Sequence, residues 1–345
     1  FHNALVISPA PDAPETKVIE DGIVAVRDGR IAALGPKDPH ASLPAAVETV
    51  NAGGGILLPG LVNTHTHLPM ALFRGLADDL PLQTWLNEHI FPAEAQHVDP
   101  ESVRLGAMLA CAELLLSGTT TCCDGYFFET FVAEAAAEAG LRGVLGQGVI
   151  DFPAPGVADP ARNVSTAEDF VMQWQGGCDR IHPSVFCHAP YTCSAKTLTS
   201  AKKTARRHGV LFQIHVAETR SEVEQMRNDH GASPVAYLDR LGVLDEETLV
   251  VHGVWVDDND IRILAERGCP VSHNPQSNMK LASGIAPVPR MMAAGIRVGL
   301  GTDGCASNND LDLLSEMDTA AKLHKVSTLD PTVLDADQVL KMATI

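Results

Sequence analysis

The sequence predicts an α/β fold, a closed (β/α)8 TIM barrel preceded by a small β-element. Three observations carry that prediction. From residue 56 onward, short apolar runs alternate with longer amphipathic ones. The alternation repeats eight times. Histidines recur where the apolar runs finish, at His65, His67, His188, His215, His252 and His273, and Asp303 closes the eighth run. A doubly wound sheet accommodates the first two observations but spreads these residues along a line. A closed barrel gathers the C-terminal ends of its strands on one face, where active sites of that fold lie. The third observation decides for the barrel.

The elements follow in order. Ala4–Ile7 and Gly22–Leu34 are short alternating apolar runs. Within the second, Ile23-Val24-Ala25-Val26, Asp28-Gly29 and Arg30–Leu34 read as a β-hairpin with a favoured two-residue turn. Pro36–Pro44 reads as loop and Gly53-Gly54-Gly55 as a turn. Residues 1–55 therefore form the small β-element and residues 56–345 the barrel. Barrel strands are expected over Ile56–His67, Thr119–Phe127, Gly143–Ile150, Ile181–His188, Val210–Val216, Leu249–Val254, Pro270–His273 and Arg297–Asp303. Helices are expected over Pro100–Leu116, Glu129–Ala139, Thr166–Trp174, Ser194–His208, Ser221–Leu241, Asp258–Arg267, Val288–Ala294 and Asp310–Lys325.

Composition narrows the function. The 345 residues are 45% hydrophobic and 20% charged, enough for one barrel-sized core and unlike a disordered or fibrous chain. Lys plus Arg number 25 against 43 Asp plus Glu, a net charge of -18. Nucleic acid and anionic membranes are repelled by such a surface and are not expected as partners. The longest apolar stretch, Ala107–Leu116, is short and carries Glu113, so no membrane span is expected. Cys111, Cys122, Cys123, Cys178, Cys187, Cys193, Cys269 and Cys305 form no CxxC pair, and most lie in apolar runs. Reduced thiols in a cytoplasmic protein are the expectation.

The chemistry starts at His65-Thr66-His67. On a strand, a period of two puts both imidazoles on one face, and imidazole suits zinc or iron. His215 ends the apolar run Leu211-Phe212-Gln213-Ile214, where a lone histidine is costly unless paired or ligated. Asp303 supplies a carboxylate. Singly, each of these residues has an ordinary structural reading; together, at the ends of strands one, five and eight, they converge. Three histidines and a carboxylate leave an open position for water, as a catalytic metal site requires. Gly299–Gly304 also fits GxGxxG, but it accompanies the last strand instead of opening a βαβ unit, so a dinucleotide site is rejected. The HxE…PCxxC pattern of polynucleotide zinc deaminases is missing.

Proton carriers lie nearby in sequence. Glu218 follows His215 by three residues, where the chain can turn back over the site; a solvated helix-start glutamate is the ordinary alternative. His252 ends Val250-Val251 and should point into the same mouth. An acid and a base beside a metal complete the set for a hydrolytic displacement.

Four segments carry a resemblance: Pro59–His67, His215–Thr219, Ser272–Leu281 and Gly301–Asn309. They resemble the amidohydrolase superfamily, and within it the aminohydrolases and chlorohydrolases acting on purines and triazines. The chain is most similar there to deaminases of 5′-methylthioadenosine and S-adenosylhomocysteine. The resemblance implies one divalent metal per subunit, zinc or else iron, held by His65, His67, His215 and Asp303. Binuclear relatives carry a bridging carboxylated lysine at the end of strand four, where Ser184–Pro190 has none. The same resemblance gives Asp303 the role of taking the proton from the attacking water. It gives Glu218 that of protonating the purine ring nitrogen, and His252 that of orienting the nucleophile and stabilising the tetrahedral intermediate. Adenine would become hypoxanthine with release of ammonia.

It further implies that Glu94 binds the ribose hydroxyls, that His188 contacts substrate and that Trp85 walls the pocket. Arg162 is the loose match for an arginine that holds the homocysteine carboxylate, and His273 is expected to support its loop. Relatives continue into strands that pair with the N-terminal β-element, so that element is expected to be incomplete in this sequence. A homo-oligomer is expected from the same comparison. Two other readings remain at this point: a related enzyme acting on guanine, a pterin, cytosine or a chlorotriazine, and a barrel that binds without catalysing.

Overall fold

A computed structural model describes residues 1–10, 13, 15–37 and 46–345. The loop expected at Pro36–Pro44 falls, from residue 38 on, outside the described residues. The first sheet has four strands: β1 (Ala4–Ser8), β2 (Lys17–Arg27), β3 (Arg30–Pro36) and β4 (Ile56–Leu57), in the order β3-β2-β1-β4. β2 and β3 form the expected hairpin. Asp28 and Gly29 both have positive φ, 52° and 72°, the backbone that matches the right-handed twist of the flanking strands. Ala4, Val6, Ile19 and Val24 form the small core of this sheet.

The second sheet has eight parallel strands: β5 (Leu61–Thr66), β6 (Thr119–Tyr126), β7 (Arg142–Val149), β8 (Ile181–Cys187), β9 (Phe212–Val216), β10 (Thr248–His252), β11 (Val271–His273) and β12 (Val298–Leu300). Each pairs with its sequence neighbour, and helices alternate with the strands on the outside, so the sheet curls into a nearly closed barrel. β9 and β10 are buried along their whole length, as strands covered on both faces must be. The seam between β5 and β12 is joined mainly by side chains. Asn63 Nδ2 donates to Thr302 Oγ1 at 2.8 Å, and Asn63 Oδ1 accepts from Thr302 N at 3.1 Å. Asp303 N donates to the His65 carbonyl at 3.0 Å.

Some elements differ from the expected ones. The single strand expected over Ile56–His67 is two, because Leu58-Pro59-Gly60 interrupts it. Pro59 has no N–H for a ladder, and any side chain on Gly60 would collide with Thr120. Ile56–Leu57 therefore pairs with β1, and the barrel strand starts at Leu61. The helix expected over Ser221–Leu241 is likewise two, Arg220–His230 and Pro234–Arg240. Gly231, at φ 64°, ends the first, and Ser233 caps the second by accepting from Ala236 N. Residues 68–97 supply a 3-10 turn (Leu68–Phe73), a π-helical turn (Trp85–Ile90) and a helix (Phe91–His97) that sequence periodicity does not announce. All eight cysteines are free. Among the described residues, no helix is long and apolar enough to cross a membrane.

Candidate active site

The barrel mouth gathers the chemistry. His65 lies on β5 and His67 just past its end, and both Nε2 atoms stand 3.4 Å from Asp303 Oδ1. His215, on β9, places Nε2 3.2 Å from His65 Nε2. His67 Nδ1 lies 2.6 Å from the Gly125 carbonyl; donating there leaves the Nε2 lone pair free toward the mouth. Asp124 holds the residues flanking His67: its Oδ1 accepts from Thr66 Oγ1 at 2.6 Å and from Leu68 N at 2.7 Å.

Electrostatics suit a cation. Burial pushes His65 down to about 4 and His215 well below the ordinary imidazole range, with the neighbouring histidines adding to it, so both are neutral donors at pH 7. Burial pushes Asp303 up, but His65, His67 and His252 outweigh it and hold the carboxyl well below its ordinary range. In a tetrahedral zinc site, bonds of about 2.0–2.1 Å to nitrogen set ligand atoms about 3.3 Å apart. Three of the spacings are close to that edge: 3.4 Å from Asp303 Oδ1 to His65 and to His67, and 3.2 Å from His65 to His215; His65, His67 and Asp303 bring their ligand atoms within 4.8 Å of one another, and His215 joins them through His65. Neutral imidazoles and an ionised carboxylate at this spacing fit a divalent metal. A second triad, His65, His215 and His252, also brings its ligand atoms within 4.8 Å of one another.

His252 and Glu218 sit beside this cluster. His252 has φ 71°, and its Nδ1 lies 3.0 Å from Asn278 Oδ1 while Nε2 lies 3.8 Å from Glu218 Oε2. Burial, reinforced by the Asp303 charge, pushes Glu218 up to about 8, so it carries a proton at neutral pH. Such an acid can donate to a substrate nitrogen.

The adjoining cavity opens to solvent and, with that open space included, measures about 730 Å³. Trp85, Glu94 and His188 line it together with His67, His215, Glu218, His252 and Asp303. Glu94 Oε1 accepts from Tyr126 OH at 2.6 Å, and burial pushes this carboxyl up to about 7. His188 Nδ1 lies 2.8 Å from Thr192 Oγ1, and burial, with His67 nearby, pushes it down to about 3. Much of the remaining wall is apolar, with Leu82, Phe91, Phe127 and Phe186 among it. Arg162 is exposed and lies outside the lining, and no other arginine or lysine belongs to it. His273 is also outside: its Nε2 meets His324 Nε2 at 3.1 Å.

Several supporting residues escape sequence reasoning. Ser277 and Asn278 fall within a segment that carries the resemblance, yet their partners, Asp303 and His252, emerge only from the fold. Asp124 lies on β6 and is fully buried; the sequence signal was a lone carboxylate within an expected barrel strand. Tyr126 and Phe186 read as ordinary strand residues.

The Amidohydrolase family model matches residues 56–345. A 5-methylthioadenosine/S-adenosylhomocysteine deaminase of Syntrophobacter fumaroxidans is 50% identical over 342 residues, covering 99% of this chain and 77% of that protein. A 5′-deoxyadenosine deaminase of Methanopyrus kandleri is 47% identical over 95% of this chain and 76% of its own length. Among solved structures, an adenosine deaminase from Xanthomonas campestris with bound zinc superposes with a TM-score of 0.88 at 36% identity, over 99% of this chain and 78% of that one. With a matching model over the whole barrel and relatives this similar, the chain belongs to the amidohydrolase family.

Proposed function

We propose that this protein is a metal-dependent hydrolytic deaminase of adenine nucleosides. Water adds at C6 of the adenine ring, the C6–N bond breaks, and hypoxanthine and ammonia result. What supports this reading is one cavity lined by His67, His215 and Asp303 of the candidate metal cluster, by Glu218, whose carboxyl burial pushes up to about 8, and by the buried carboxyl of Glu94. It is supported by relatives named as deaminases of methylthioadenosine, S-adenosylhomocysteine and 5′-deoxyadenosine.

His65, His67, His215 and Asp303 would hold the metal, with zinc the first choice and iron the second. Bound there, the ion would supply Lewis-acid activation of the attacking water. Asp303 would accept the proton that the attacking water gives up. Glu218 donates its proton to the ring nitrogen next to the attacked carbon, which draws electrons away from C6. His252, fixed by Asn278, orients the nucleophile and steadies the developing oxyanion through Nε2. Glu94 accepts from the vicinal ribose hydroxyls, a pairing for which a carboxylate with two oxygens is suited. Trp85 and His188 complete the walls around the nucleoside. A homo-oligomeric enzyme of the cytoplasm is the setting we propose.

Guanine, pterins, cytosine and chlorotriazines are the competing substrates, and Glu94 favours a ribose-bearing one over each of them. The test is incubation of zinc-loaded protein with 5′-methylthioadenosine, 5′-deoxyadenosine and adenosine. Ammonia release and a shift of the adenine ultraviolet band toward hypoxanthine are expected. Release from guanine or a triazine with none from any nucleoside overturns the reading.

A further inference from the structure

Glu222 is a buried acid that the reaction outlined above does not use. Both of its oxygens are engaged: Oε1 accepts from Ala217 N and Oε2 from Glu218 N, each at 2.8 Å. Glu222 is the third residue of helix Arg220–His230, whose N-cap is Thr219. An acid at that position ordinarily reaches back to the N–H of the cap itself. Glu222 instead reaches past Thr219 to the two residues before it.

Those two residues form a strained turn. Ala217 has φ 52°, a left-handed conformation unfavourable for an L-residue. Its carbonyl accepts from Trp255 N at 2.8 Å, and the Val216 carbonyl from Gly253 N at 3.1 Å. The turn is thus gripped by Glu222 on its N–H side and by the chain after β10 on its carbonyl side. Glu218 is carried on this turn, with Oε2 3.8 Å from His252 Nε2.

We infer that Glu222 is a positioning residue for Glu218: its two-oxygen hold on consecutive peptide N–H groups fixes the left-handed turn that aims the Glu218 carboxyl into the cavity. The inference rests on the proton-donating role proposed for Glu218. A helix cap alone would need neither N–H, since both lie outside the helix.

The test compares zinc-loaded Glu222→Ala and Glu222→Gln with the parent protein. Displacing a reacting group by about 1 Å costs on the order of 10²-fold in rate. That loss is expected in kcat for 5′-methylthioadenosine with Glu222→Ala, with KM changed less than about threefold and zinc per chain unchanged. Glu222→Gln retains one acceptor oxygen at near-identical volume, folds more readily, and should fall between the two. In crystals of either variant the Glu218 carboxyl should leave its place beside His252. Lower thermal stability with unchanged kcat and an unmoved Glu218 overturns the inference and leaves Glu222 as a helix cap. If the parent protein deaminates no nucleoside, the proposed function fails, and the position of Glu218 in Glu222→Gln crystals still decides the role of Glu222.

Discussion

Ser277 donates its hydroxyl to Oδ2 of Asp303 at 2.7 Å, so the aspartate presents Oδ1 toward His65 and His67. One carboxylate is therefore divided between an anchor and a working oxygen. Removing the anchor frees the carboxylate to rotate. Ser277→Ala should lower zinc affinity or kcat by about 10–100-fold, the usual effect of losing a group that orients a metal ligand. Competition for zinc against a chromogenic chelator, together with steady-state rates, checks this. An unchanged affinity and rate would mean that the Gly304 N–H, 2.7 Å from Oδ1, orients the carboxylate by itself.

Glu94 should impose a pH dependence on substrate binding. Its carboxyl is raised to about 7 by burial, so it is neutral below that pH and ionised above it. Only the ionised form offers both oxygens as acceptors to two hydroxyls. KM for ribose nucleosides is expected to fall as pH rises through about 7, and Glu94→Gln to raise KM and flatten that trend. The sign for stability is opposite. A raised pKa favours the folded state below the ordinary value of 4.5, and that contribution is lost as pH rises through about 7. Denaturation of Glu94→Gln at pH 5 and pH 8 checks the second half: the variant should gain on the parent at the higher pH.

Charge in the cavity should sort the nucleosides by their 5′ group. The lining contains Glu94, Glu218 and Asp303 and no lysine or arginine. A methylthio or deoxy 5′ end meets apolar wall there, whereas the carboxylate of S-adenosylhomocysteine finds no counter-charge in the lining. Burying an unpaired charge is costly. A kcat/KM at least about tenfold lower for S-adenosylhomocysteine than for 5′-methylthioadenosine is expected. Equal efficiencies would show that an exposed cation such as Arg162 reaches the bound amino acid.

Asn63→Ala should test the seam. It removes the side-chain bonds to Thr302 Oγ1 and Thr302 N in a buried setting. A loss of about 1–3 kcal/mol is expected for leaving such partners unpaired. Because His65 lies two residues away on β5, weaker zinc retention should accompany it. Urea denaturation with and without added zinc measures both effects.

The candidate metal ligands were legible because a strand writes its chemistry with a short period. His65 and His67 share a face by alternation, and His215 stands out as a polar group ending a buried run. Asp28-Gly29 announced its hairpin through two residues that tolerate positive φ. The errors have equally local causes. Apolar composition continues across Leu58-Pro59-Gly60 and hid the change of sheet, and helical periodicity runs through Gly231 and hid a break. Residues 68–97 roof the site in 3-10, π and α turns with no sustained period. Ser277, Asn278 and Glu222 were hidden for a different reason. Their importance lies in an acceptor or donor met only after folding, and an uncharged serine or a solvated helix acid looks the same in sequence whether or not that partner exists.

The stitched junction between β5 and β12 has a consequence for assembly. His65 and His67 come from the first barrel strand and Asp303 from just beyond the last, and Asp303 N bonds directly to the carbonyl of His65. An intermediate that leaves β5 and β12 apart cannot present these residues together. The candidate metal site therefore forms only where the first and last barrel strands meet, and a cation bound there would tie the two together.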